Sequence, residues 1–120
     1  MNKQIFILED NPDISYVLDV FLTTKGYEVS MFSTISQLQD SFQQKLPDVF
    51  LLDVMLPDGN GFSICEQIKQ DARAAHIPVV MMSAHFDLEL MPEVCAADDF
   101  IAKPFDLDVV STRLNNALKN

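Results

Sequence analysis

The sequence predicts an α/β fold in which one parallel sheet of five strands is covered by helices on both faces. Apolar runs of strand length recur five times along the chain, and segments with helical periodicity lie between them. Such alternation is typical of right-handed βαβ units, which build parallel sheets. The length of 120 residues suits one domain, so we predict a single domain over residues 1–120.

The predicted strands differ in how continuous their apolar runs are. The third and fourth runs are nearly unbroken, and this is typical of strands that are buried on both faces of a parallel sheet. The predicted strands are Ile5–Leu8, Tyr27–Phe32, Val49–Leu52, Pro78–Met82 and Phe100–Ala102.

The helices are predicted from apolar residues spaced three or four positions apart. The first is the best defined, because Asn11 is a favourable N-cap, Pro12 occupies the first helical position and Gly26 follows the end. The apolar stripes are Ile14, Val17, Leu18, Phe21 and Leu22 for the first helix; Ile35, Leu38, Phe42 and Leu46 for the second; Ile64, Cys65, Ile68 and Ala72 for the third, after the turn Asp58–Gly61; and Leu107, Val110, Leu114 and Leu118 for the last.

The segment between the fourth and fifth strands is the weakest helix candidate. It contains Pro92, and a proline in a helix interior removes a hydrogen bond and costs roughly 3 kcal/mol. We therefore predict a short or irregular helix over Asp87–Cys95. Leu88, Leu90 and Met91 would form an apolar contact patch in this segment.

Charge and cysteine content exclude several classes of protein. With 8 basic and 18 acidic side chains the net charge is −10, which is the wrong sign for direct contact with nucleic acid or anionic lipid. No apolar run is long enough to span a bilayer, and the amino terminus lacks a signal-peptide core. Cys65 and Cys95 form no CxxC pair, so we interpret them as reduced apolar residues. Together these features predict a cytoplasmic protein.

Polar residues follow the predicted strands at the points where the strands end. In open parallel sheets the reactive site lies beyond the carboxyl ends of the strands. These residues are Glu9 and Asp10 after the first strand, Asp53 after the third, Ser83 after the fourth and Lys103 after the fifth.

These side chains together suit phosphoryl chemistry. Carboxylates about 4 Å apart repel by about 4 kcal/mol per pair at an effective dielectric constant near 20, and a hard divalent cation such as Mg²⁺ would offset this. Lys103 provides a point charge for a phosphate oxygen, and Ser83 provides a hydroxyl donor. Asp53 is the candidate nucleophile, because it alone follows the central strand and aspartyl phosphates are an established covalent route.

Two other kinds of site fit the sequence poorly. The sequence has no glycine-flanked serine of the nucleophile-elbow type that His76 or His85 could activate, which argues against a serine hydrolase. The acidic loop after the first strand, Glu9–Pro12, would repel the phosphate of a flavin.

Four sequence blocks, each at a strand end, resemble the receiver domain of bacterial two-component response regulators, including the chemotaxis regulators. The resemblance covers essentially the whole chain. It implies a flavodoxin-like, doubly wound sheet with strand order 2-1-3-4-5. The blocks are Ile7–Asn11, Leu52–Gly59, Ser83–Ala84 and Asp98–Phe105.

The resemblance also implies a role for each site residue. Asp53 would accept a phosphoryl group from a histidine kinase or a histidine phosphotransfer protein. Mg²⁺ would be held by Asp10, Asp53 and the backbone carbonyl of Met55, with Glu9 in the outer shell. Lys103 would pair with a phosphoryl oxygen.

The switch and the lifetime of the phosphoryl group involve four further assignments. Ser83 would bind the phosphoryl group once it forms, and Phe100 would move inward as the switch aromatic. Met55 and His85 correspond to positions that in receiver domains modulate access of water to the phosphate, and by this resemblance apolar Met55 predicts a long-lived phosphoryl group. The output could come from an effector domain after Asn120, from a downstream protein or from a homodimer.

Two further functions remain as alternatives. A receiver-like module could dock partners without phosphorylation, and the short or irregular helix predicted over Asp87–Cys95, where receivers commonly have a helix used for output, is the only sequence support for it. A small Mg²⁺-dependent phosphatase would also use an aspartyl nucleophile, but its Asp-x-Asp motif is not matched, because Met55 occupies the second position.

Overall fold

Five parallel strands form the central sheet of the computed structural model, which describes residues 2–84 and 96–119. The order across the sheet is β2-β1-β3-β6-β7, and the predicted order of the five main strands is therefore confirmed. A separate antiparallel hairpin, β4–β5, follows β3 and was not predicted. The strands are β1 (Gln4–Leu8), β2 (Glu28–Phe32), β3 (Val49–Asp53), β4 (Met55–Leu56), β5 (Gly59–Asn60), β6 (Val79–Ser83) and β7 (Asp99–Ala102).

Four helices are described, and side chains cap the first three at their N-termini. The cap of the first helix confirms the prediction, because Asn11 Oδ1 accepts from the backbone N–H groups of Asp13 and Ile14 at 2.9 and 3.2 Å. The helices are α1 (Pro12–Thr24), α2 (Ile35–Gln44), α3 (Gly61–Gln70) and α4 (Leu107–Lys119).

The core consists of two apolar layers, one on each face of the sheet. Alternate residues of each strand point to opposite faces, so Phe6 and Leu8 lie in one layer and Ile5 and Ile7 in the other. Helices α2 and α3 cover the first layer, and α1 and α4 cover the second. All five residues of β3 and of β6 are buried, as their unbroken apolar runs predicted.

Three residues assigned to buried helical stripes differ from the prediction. Leu46 lies beyond α2, because Lys45 takes an extended conformation (φ −150°, ψ 143°) and ends that helix. Ala72 lies beyond α3 for the same reason, since Asp71 is extended (φ −86°, ψ 119°). Val17 is within α1 but is 45% exposed, so the buried stripe of this helix is narrower than predicted.

Several predictions concern residues outside the described ranges. These include the short helix over Asp87–Cys95, the patch of Leu88, Leu90 and Met91, and the thiol of Cys95. Cys65 is buried and its side chain is reduced, as expected. Within residues 2–84 and 96–119, no helix is both long and apolar enough to cross a bilayer.

Candidate functional site

The predicted strand-end residues meet at the carboxyl edge of the central sheet. Asp53 is the last residue of β3 and Ser83 the last of β6, whereas Glu9 and Lys103 directly follow β1 and β7. These residues share a cavity of about 520 Å³. Its lining consists of Glu9, Asp10, Asn11, Pro12, Ile14, Asp53, Met55, Ser83, Ala84 and Lys103.

The carboxylates at this edge differ in exposure. Glu9 is only 1% exposed and Asp53 only 6%, whereas Asp10 is exposed. Backbone N–H groups hold the two buried carboxylates: Asn11 donates to Glu9 Oε2 at 3.1 Å, and Val54 donates to Asp53 Oδ1 at 2.9 Å. The second oxygen of each carboxylate faces Lys103.

Lys103 is the cation of the site. Its ammonium forms ion pairs with Glu9 Oε1 and with Asp53 Oδ2, the latter at 3.1 Å. Burial opposes the charge of this ammonium, but the hydrogen bonds and charges of the two carboxylates outweigh burial and raise the pKa of Lys103. Lys103 therefore stays charged, and its ammonium could also bind a further anionic oxygen.

At Glu9, in contrast, the effect of burial on the pKa outweighs the effect of the neighbouring hydrogen bonds and positive charge. Its burial favours the neutral form, and the pKa of Glu9 is raised above 4.5 despite the ion pair with Lys103 and the hydrogen bond from Asn11. The negative charge of Asp53 adds to the shift. The carboxylate of Glu9 is thus held at the site at a cost in stability.

This cost predicts a dependence on pH. The folded protein holds the proton of Glu9 more tightly than the unfolded chain, so the contribution of Glu9 to the free energy of unfolding falls as the pH rises and Glu9 ionises. We expect Glu9→Gln, which cannot ionise, to gain stability relative to the wild type as the pH rises from about 4 to about 7. Urea unfolding of both proteins in Mg²⁺-free buffer measures this difference. A relative loss of stability on raising the pH would show that the ion pair with Lys103 outweighs burial.

The three carboxylates could hold a metal ion. One oxygen from each of Glu9, Asp10 and Asp53 lies within 4.8 Å of the others, and this is the one such group in the described part of the chain. Oxygen donors of this kind fit a hard cation such as Mg²⁺, which binds through one or two carboxylates and keeps several waters. The donor set therefore agrees with the predicted cofactor.

A close backbone contact shapes the loop that follows Asp53. The N–H of Gly61 donates to the carbonyl of Val54 at 2.7 Å, which closes the loop of the β4–β5 hairpin. A Cβ at Gly61 would lie 2.0 Å from the backbone oxygen of Asp53, so only glycine fits. Sequence analysis identified the turn here but missed this contact. The available signal was the glycine itself, because a residue without a Cβ permits close approach of the backbone.

Of the predicted residues that the structure describes, Phe100 is not part of the cavity lining. Phe100 is half-buried on β7 and packs against the apolar layer under α2 and α3. Its assignment as the switch aromatic stays a prediction. His85 lies outside the described residues.

Comparison with known proteins identifies the family. The family model of the response regulator receiver domain matches residues 5–115. The DNA-binding dual master transcriptional regulator RpaA of Synechocystis is 33% identical over 97% of this chain. The transcriptional regulatory protein KdpE of Staphylococcus aureus is also 33% identical, over 95% of this chain. The chain spans 49% of the length of each of these two relatives.

Solved structures show the same relationship. The receiver domain of the sensor histidine kinase PA1611 from Pseudomonas aeruginosa superposes with a TM-score of 0.88 at 25% identity, and each chain is covered in full. That structure has a magnesium ion coordinated in the active site cleft. The chemotaxis response regulator CheY4 of Vibrio cholerae shares the fold with a TM-score of 0.90 at 19% identity, over 98% of this chain and 99% of that one. This chain therefore belongs to the family of response regulator receiver domains, the phosphoryl-accepting switches of two-component signalling.

Proposed function

We propose that Asp53 is the residue of this receiver domain that accepts the phosphoryl group, and that the donor is a phosphohistidine. The observation that carries the proposal is the position of its carboxylate, which is 6% exposed, lines the cavity and lies 3.1 Å from the ammonium of Lys103. A carboxylate with one oxygen held by Val54 N–H and the other near a cation is well placed as a nucleophile.

In the reaction, an oxygen of Asp53 forms a bond to phosphorus as the bond between phosphorus and the donor imidazole nitrogen breaks. The electron pair of the broken bond stays on the imidazole, and the product is an acyl phosphate on Asp53. The transition state of phosphoryl transfer is loose, so the site contributes mainly position and charge. Lys103 contributes charge by pairing with a phosphoryl oxygen, and Ser83 donates a hydrogen bond to another.

The proposed cofactor is Mg²⁺. Asp10, Asp53 and the backbone carbonyl of Met55 would be its ligands, with Glu9 in the outer shell. The cation would neutralise charge on the phosphoryl oxygens. The cluster of carboxylate oxygens within 4.8 Å supports this assignment.

The proposed switch depends on Ser83 and Phe100. Contact of Ser83 with the phosphoryl group would draw the end of β6 toward Asp53. Phe100 lies on β7, which pairs with β6, so the two elements can shift together. Phosphorylation would thereby bias an equilibrium between two conformations of the domain.

The proposed partners follow from this role. The donor is a histidine kinase or a histidine phosphotransfer protein. The output is an effector domain after Asn120, a downstream protein or a homodimer, and this acidic segment makes no direct contact with DNA or membrane. We place the domain in the cytoplasm, and its own chemistry is restricted to gaining and losing the phosphoryl group.

Incubation with Mg²⁺ and a small phosphodonor tests the proposal. Intact mass spectrometry is expected to show a single added phosphoryl group, and chelation of Mg²⁺ is expected to prevent it. No adduct under any condition would favour a module that docks without phosphorylation. Continuous release of phosphate from phosphomonoesters would instead identify a phosphatase.

Met55 predicts a long-lived phosphoryl group. Met55 lines the cavity, and its side chain has no strong hydrogen-bonding group with which to orient a water toward phosphorus. We expect Met55→Asn to speed loss of the phosphoryl group by about tenfold, because an amide can hold a water near the acyl phosphate. Decay of the adduct after donor removal, followed by mass spectrometry, measures the rate. Met55→Leu is the matched control and should leave the rate unchanged, and an equal rate in Met55→Asn would contradict the assignment.

A further inference from the structure

The tip of the β4–β5 hairpin is bound to the N-terminus of α2. Asp58 Oδ1 accepts from the backbone N–H of Ile35 at 2.9 Å, and Oδ2 accepts from the N–H of Ser36 at 3.1 Å. These hydrogen bonds lower the pKa of Asp58, so it is an anion at neutral pH. The first turn of α2 has no acidic residue of its own, and Asp58 supplies the negative charge that a helix N-terminus favours.

The hairpin is held at both of its ends. Met55 pairs with Asn60 and Leu56 pairs with Gly59, so Asp58 lies in the two-residue turn at the tip. At the base, the backbone contact of Gly61 with Val54 closes the loop.

Packing against α2 reinforces the contact at the tip. A Cβ added at Gly59 would lie 3.1 Å from Ile35 Cδ1, so the hairpin backbone lies directly against this side chain. Leu56 packs against the apolar layer that contains Ile35. Met55 therefore lies in a segment whose base is fixed to Val54, the residue after β3, and whose tip is fixed to α2.

We propose that Asp58 is a positioning residue for the site. By fixing the tip of the hairpin to α2, it holds the backbone of Met55 where its carbonyl can bind Mg²⁺. This inference rests on the proposed function, because it needs a metal site that includes Met55. Without the contact, the hairpin could pivot about its base, and binding the metal would have to restrict that motion.

Mg²⁺ titrations of Asp58→Ala and Asp58→Asn test the role. The amide signals of Asp10 and Val54 report binding by nuclear magnetic resonance. We expect the Kd for Mg²⁺ to rise about tenfold in Asp58→Ala, the low end of the range for residues that orient a metal ligand. The rise should be smaller in Asp58→Asn, whose side chain keeps one acceptor oxygen.

Asp40→Asn is the matched control for charge. It removes one negative charge from an exposed position of α2, the helix that Asp58 contacts, and should leave the Kd close to that of the wild type. Equal increases in Asp40→Asn and Asp58→Ala would show that only the overall charge matters and would overturn the proposal.

Hydrogen exchange provides a readout that a purely structural role would not change. Coupling between binding sites is reciprocal, so Mg²⁺ should slow amide exchange at Ile35 and Ser36 in the wild type but not in Asp58→Ala. A lower Tm for Asp58→Ala with a Kd unchanged from the wild type would assign Asp58 to folding alone and overturn the positioning role. A wild-type protein that shows no Mg²⁺-dependent signal changes would overturn both this inference and the proposed metal site.

Discussion

Asp53→Asn is expected to abolish formation of the phosphoryl adduct completely. Asparagine has nearly the same shape, and its amide oxygen can still accept from the Val54 N–H that now donates to Asp53 Oδ1 at 2.9 Å. It lacks the negative charge and the nucleophilic oxygen that the covalent step requires. Incubation with Mg²⁺ and a small phosphodonor, followed by intact mass spectrometry, compares the variant with the wild type.

Two controls separate loss of the acceptor from loss of the fold. Circular dichroism and the Tm of Asp53→Asn should show a folded protein. Asp40→Asn removes a charge at an exposed position of α2 and should form the adduct as the wild type does. If a folded Asp53→Asn protein still gained a phosphoryl group at the wild-type rate, the acceptor would be a different residue.

Gly61→Ala is expected to have the largest effect on stability among substitutions near the site. The new Cβ would lie 2.0 Å from the backbone oxygen of Asp53 and 3.2 Å from the Cα of Val54, and backbone atoms cannot rotate away. We expect the free energy of unfolding to fall by about 3 kcal/mol or more, since relief requires the backbone of the loop to move. Urea unfolding measures this loss, and phosphorylation of the variant should also be slower, because Asp53 is displaced.

Gly26→Ala is the matched control for this clash. Gly26 has a φ of +96° but no atoms within 4 Å of an added Cβ, so Gly26→Ala should lower the free energy of unfolding through backbone strain alone, by about 1 kcal/mol.

Alanine is intrinsically better than glycine in a helix, so Gly61→Ala should stabilise α3 if the contact with Asp53 were absent. A Gly61→Ala protein as stable as the wild type would therefore contradict the close contact.

Much of the fold follows from local patterns in the sequence. The continuous apolar runs predicted that β3 and β6 are buried on both faces, and the structure has them side by side in the middle of the sheet. The N-cap at Asn11 was predicted because it depends on a single side chain and the helix that follows it. The ends of α2 and α3 were predicted too late in the chain, because Leu46 and Ala72 continue the apolar spacing although the backbone has already left the helix.

The predicted site residues line one cavity because the strands that carry them are parallel. Strands of a parallel sheet point in the same direction, so side chains such as Asp53, Ser83 and Lys103 meet at one edge even though they are far apart in the sequence. Their chemical types then favoured phosphoryl transfer over other reactions.

The hairpin contacts could not be predicted in the same way. Strands of two residues have no measurable periodicity, and the hydrogen bonds of Asp58 join atoms more than twenty positions apart in the sequence. The double ion pair of Lys103 also depends on where a long side chain comes to rest once the sheet has formed.

Locating the phosphoryl group on the chain tests the central claim most directly. The domain would be treated with Mg²⁺ and a small phosphodonor, the acyl phosphate trapped by reduction, and the peptides sequenced by tandem mass spectrometry. The account predicts a single modified residue, Asp53. Reduction of a different carboxylate, with Asp53 unmodified, would contradict it.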